Sequence, residues 1–124
     1  MGTRFEVLAE LDETVAKTCV ELAVNVTAEL IERTPVDTGW ARANWIPSLG
    51  APSTAGGTAT GGGADTIAQE SGQAEVLGFK LEHEAIYVTN NAPYIGRLND
   101  GWSDQAPAGF VEAAIDKVVS EAAR

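Results

Sequence analysis

The side chains able to do chemistry in this chain are few and far apart. His83 is its one histidine, held in L-E-H-E-A between Glu82 and Glu84. A catalytic or zinc-binding histidine needs partners at fixed spacing, and no H-x-x-H, H-E-x-x-H or Cys/His pattern accompanies it. It reads as an exposed loop residue. Cys19 is the one cysteine, which excludes an intrachain disulfide and a thiolate metal cluster. It falls on an apolar helical stripe and reads as a small buried hydrophobe. Ser48, Ser71 and Ser103 lack the G-x-S-x-G elbow, and most nucleophilic triads want members the chain does not have. Gly61-Gly62-Gly63 lacks the lysine of a phosphate loop, and Asp65 behind it would repel an anion. Asn99, Asp100 and Asp104 gather oxygen atoms without EF-hand spacing, so they read as turn formers. With 18 Asp and Glu some carboxylates are bound to be neighbours, but the sequence singles out no acid–base pair. The expectation is no catalytic residue, no metal and no cofactor.

The informative residues are aromatic and shape-fixing instead. Residues 90–111 read N-N-A-P-Y-I-G-R-L-N-D-G-W-S-D-Q-A-P-A-G-F-V, with two prolines, three glycines and several Asn and Asp around Tyr94, Ile95, Leu98, Trp102 and Phe110. A second punctuated stretch, Thr34-Pro35-Val36-Asp37-Thr38-Gly39, leads into Trp40, Arg42, Asn44 and Trp45. Trp, Tyr and Arg dominate interface hot spots. Trp102, between Gly101 and Ser103, reads either as an interface anchor or as local core. Arg42 and Arg97 are candidates for ion pairs with a neighbour's carboxylates.

These segments hang between regular elements. Leu8, Leu11, Val15, Cys19, Leu22, Val26 and Leu30 step by three or four, which predicts one face of a helix over residues 4–33. Thr3 and Glu6 have the spacing of a capping box, and Pro35 stops the helix. Asp37 and Gly39 suit the turn at 34–39, and residues 40–48 are expected to be extended up to Pro47. Residues 49–64 form a Gly/Ala/Ser/Thr loop with no core of its own. A short helix is expected over 65–80, weakened by Gly72 by roughly 1 kcal/mol. A strand is expected at 85–89, a helical turn at 93–98 and a tight turn at Asp100-Gly101. A last helix, capped by Ser103 or Asp104, should begin near Pro107 and reach about Arg124. Its wide apolar face implies burial on two sides. The fold class is α+β: a long N-terminal and a C-terminal helix on a small, mainly antiparallel sheet.

At 124 residues the chain reads as one domain, residues 1–124, and a partner could supply much of its stability. No apolar run approaches the ~18 residues of a bilayer span. Acidic residues interrupt the start where an export signal needs a long apolar core, so export is not expected. The net charge of −10 argues against general nucleic-acid binding, which requires Lys and Arg to displace counterions.

Taken together, the two punctuated motifs resemble the phage neck and tail completion proteins, the family of the lambda minor tail protein Z. In that family a helix ends in T-P-x-D-T-G followed by R-x-x-W, here residues 34–39 and Arg42 to Trp45. A Tyr-Gly-rich turn then precedes a P-x-G-F/M or R-P-F start to a C-terminal helix, here Pro107 to Phe110. The resemblance implies a structural virion protein at the head–tail junction. It would form a homo-oligomeric ring, a hexamer, assembled in the host cytoplasm and meeting the head–tail connector or adaptor and the tail terminator or tail tube. It implies genomic DNA passing through the lumen without specific binding, and no membrane. The acidic surface would then either repel phosphates from a channel wall or simply be solvated charge. The subunit-interface candidates are Asp37, Trp40, Arg42 and Trp45 in one patch and Tyr94, Arg97, Trp102 and Phe110 in the other, with the 49–64 loop as a third contact. Where the family has R-P-F, this chain has Ala106-Pro107-Ala108-Gly109-Phe110, which points to the Z-like branch. Two other classes compete. A DNA-associated metal-dependent enzyme predicts carboxylates converging in a pocket, and a small cytoplasmic oligomeric adaptor predicts a single two-fold interface.

Overall fold

A computed structural model describes residues 4–35, 40–55 and 66–123, with no side-chain detail for residues 4–10 and Trp40. Helix α1 (Arg4–Arg33) is followed by a helical turn α2 (Trp40–Ala43), strand β1 (Trp45–Leu49) and helix α3 (Ile67–Val76). A 3-10 turn at Leu81–His83 leads to strand β2 (Ile86–Asn90), short helix α4 (Ile95–Asn99) and helix α5 (Phe110–Ala122). The chain is α+β, with the long N-terminal and the C-terminal helix packed together over a two-stranded antiparallel sheet. The proposed Thr3 cap, Asp37, the three consecutive glycines and the start of the 65–80 helix lie outside the described residues.

Register explains the sheet. Trp45 pairs with Asn90, Pro47 with Val88 and Leu49 with Ile86. The Gly50 N–H donates to Ala85 O at 2.9 Å, so the even-numbered residues of this strand face β2 and the odd-numbered ones face away. Pro47, which has no N–H to give, thus falls on the edge that needs none. Helix α3 lies along that edge. The Gln69 amide nitrogen donates to Trp45 O at 3.1 Å and to Arg42 O at 2.8 Å. A Cβ on Gly72 would stand 2.3 Å from Pro47 O, so only glycine lets the helix approach this closely.

The core gathers Leu30, Trp45 and Ala114, with Val26, Val88, Ile95 and Val111 against them. Phe110, Ala114 and Val118 form the inner stripe of α5. Packing departs from the periodicity at the far end of α1. Leu11 and Val15 carry the stripe on but are 55% and 48% exposed, and Cys19 is only half-buried. The reason is length: at ~1.5 Å per residue, α1 outruns the much shorter α5 that covers it.

Three element boundaries differ from expectation. Residues 40–43 are helical rather than extended, because Ala41 and Ala43 are buried and small, and the turn swings Arg42 back over the end of α1. Helix α3 stops at Val76 rather than Lys80, where Gly78 and Phe79 turn back onto Glu75 and Val76 carbonyls. Helix α5 starts at Phe110 rather than Pro107, and neither Ser103 nor Asp104 caps it. Ser103 instead bridges to Ala106, and its Oγ accepts from the Gln105 N–H.

Candidate docking surfaces

The described part of the first motif is internal wiring. Thr34 donates its hydroxyl to Leu30 O at 2.6 Å and accepts from the buried Trp45 indole N–H at 2.7 Å. Arg42 donates to Thr34 O at 2.9 Å and to Glu32 O at 2.8 Å. A helix leaves its last carbonyls without intrahelical donors, and Arg42 satisfies two at this end, Glu32 O in the last turn and Thr34 O just past it. Arg42 is thereby committed within the chain, and Trp45, 6% exposed, is core. Asn90 ties β2 to the same corner, donating to Ala41 O at 2.8 Å. Asp37 and the Trp40 side chain are outside the described residues.

The second motif presents a side chain outward. The Gly101 N–H donates to Leu98 O, and the Trp102 N–H donates to Arg97 O at 3.2 Å. Gly101 takes φ +91°, and Ala108 packs 3.2 Å from where a Cβ would stand, so the turn is fixed by conformation and by contact. On it Trp102 is 72% exposed. The Arg97 guanidinium carbon lies 5.2 Å from the Trp102 ring centroid, a cation–π distance. Tyr94 is half-buried at the start of α4, and Phe110, 1% exposed, is core.

Asn99 braces this platform, a role the sequence hid among candidate calcium ligands. Its carbonyl accepts from the Gly109 N–H at 2.7 Å, and its side-chain oxygen accepts from the Val111 N–H at 3.0 Å. Its amide nitrogen donates to both oxygens of Glu112 at 3.0 Å. It is the N-cap of α5 supplied from α4, in place of the residue at the helix start, Gly109, which is left-handed at φ +78°. The Asn99 bond is also the main cause that holds the Glu112 carboxyl below its ordinary range.

The remaining polar clusters serve the fold. His83 Nδ1 accepts from the Lys80 N–H at 2.9 Å, and its ring sits 5.9 Å from Phe79. Glu84, at φ +72°, centres a γ-turn in which the Ala85 N–H donates to His83 O. Glu29 ties α1 to α5, bonding Arg33 at 2.7 Å and Lys117 at 3.2 Å. The Arg33 bond, more than the Lys117 one, holds its carboxyl below the ordinary value against the opposing effect of burial. Among the described residues no three His, Cys, Asp or Glu side chains gather to hold a metal ion, and no helix is long and apolar enough to cross a membrane.

Compared with protein-family models, with curated proteins and with solved structures, the chain finds no match.

Proposed function

We propose that this chain is a structural assembly protein whose copies close into a ring, of the kind that joins a phage tail to the head connector. The observation that carries the reading is Trp102: an indole 72% exposed, stacked with Arg97 and held on a turn fixed by Gly101 and Asn99. An exposed tryptophan on a flexible tip would lose entropy on docking, whereas one on a braced turn is already placed. The two tight motifs then have different duties. The Thr34–Trp45 corner holds the body together, and the Arg97–Trp102 turn meets the neighbour. In a ring each copy uses two unlike patches, and the rotation between them sets the closure. The partners of this reading are further copies, the connector or adaptor on one side and the tail terminator or tail tube on the other. The acidic surface suits a conduit through which DNA slides unbound.

The test is particle symmetry. Negative-stain images of the purified protein, or its position in a reconstructed virion, should show a closed ring with Trp102 at the seam. Trp102→Ala should keep the wild-type melting temperature, since the side chain is solvent-facing, and weaken assembly by roughly tenfold or more, as hot-spot truncations do. A variant that assembles normally, or a virion in which Trp102 faces solvent, overturns the reading.

A further inference from the structure

The Arg97–Trp102 platform stands beside the N-terminal end of α5, where Gly101 packs on Ala108. A groove stands at the opposite end of the same helix. It lies between α1 and α5 as a half-open cleft of about 570 Å³. Leu22, Ala28, Ala122 and the mostly buried Val118 give it an apolar floor, beside the polar Thr18 and Asn25. Glu21, Glu29 and Glu121 are its charged residues, with no basic residue in the lining. Glu29 is spent on Arg33 and Lys117. Glu121 has only a 3.9 Å approach to Lys117, and Glu21 has no ion-pair partner among the described residues. The groove thus joins a small apolar floor to negative charge of which Glu21 is without an ion pair among the described residues and Glu121 is only loosely paired.

The platform is its complement. It offers a large exposed ring carrying a guanidinium that makes no ion pair among the described residues. A rigid helix of 13 residues, ~20 Å long, separates the two within one chain, so a molecule cannot seat its own platform in its own groove. Unlike, complementary patches held apart on one rigid body associate head to tail. We propose that the α1–α5 groove is the acceptor for the platform of a second copy, with Trp102 against Leu22, Val118 and Ala122 and Arg97 between Glu21 and Glu121. The proposal rests on the ring reading and specifies its seam.

The experiment compares self-association of the full chain by analytical ultracentrifugation. The wild type is run beside Arg97→Glu, the paired Glu21→Lys and Glu121→Lys, and the combination of all three. Each half should weaken association by about tenfold or more, and the combination should recover most of it, because close interfacial charge pairs are strongly coupled. All three positions are exposed, and unchanged circular dichroism certifies the fold. A photo-crosslinking residue at position 102 gives an independent readout. It should attach to peptides spanning 18–25 or 118–123 of another copy. A groove variant that still forms the ring with wild-type affinity, or crosslinks mapping elsewhere, overturns the groove while the ring reading stands. A wild type that stays monomeric at every concentration overturns both.

Discussion

At the residue scale, Thr34 shows how a polar side chain can hold a core together. Its hydroxyl stands between the Leu30 carbonyl and the Trp45 indole, both 2.7 Å away or less, and is 2% exposed with the residue. Thr34→Val keeps the shape but strands the indole N–H, which should cost about 1–3 kcal/mol in urea unfolding. Adding Trp45→Phe removes the stranded donor, so the double variant should lose less than the sum of the two. Glu29 gives a pH signature. Its carboxyl titrates below the ordinary value in the folded chain, chiefly through the Arg33 bond. A group with a depressed folded pKa contributes stability that is present above its unfolded value and lost as pH falls through the folded one. Wild-type stability should therefore fall on acidification through and below the ordinary carboxylate range. Glu29→Gln should start less stable at neutral pH and show a flatter profile there, as measured by thermal melts across an acid series.

At the element scale, Gly72 sets two effects against each other. Alanine is a better helix former by about 1 kcal/mol, which favours Gly72→Ala in α3. The new Cβ would meet the Pro47 carbonyl at 2.3 Å, and that atom is backbone in a paired strand. Overpacking of this kind costs typically 1–3 kcal/mol, so the clash wins and the variant should unfold at lower urea with a helix edged away from β1. The same glycine marks what could be read in advance. Residues 4–33, the strand near 85–89 and the turn near 93–98 followed from period and punctuation, because each depends on its own residues. Gly72 looked like a weakness in a helix, since its reason is a carbonyl some 25 positions away in the chain. The start of α5 was hidden for the same reason: its cap comes from Asn99, and a local search could offer only Ser103 and Asp104. In the first turn, Trp45 and Arg42 were legible as important but not as inward-facing. The hydrogen bonds that claim them belong to Thr34 and Glu32, brought close only when α2 folds back.

At the scale of the whole molecule, the chain is a packed corner with an uncovered rod. The sheet, α3 and α5 bury the later half of α1, while Leu11 and Val15 continue its stripe into solvent. With a net charge of −10, copies repel one another at long range, so an assembly of this chain needs specific short-range pairs to overcome that field. In the proposed ring Arg97 and Trp102 would supply the cation and the apolar surface for them, so the Trp102→Ala variant should register in assembly rather than in melting temperature. The bonds made by Asn99 carry a last consequence. The opening turn of α5 is capped by an asparagine of the segment that displays the tryptophan, so the helix start and that segment are tied together. In the proposed ring, a chain whose final helix has not docked would lack this brace beneath its tryptophan, and recruitment would thereby favour finished molecules.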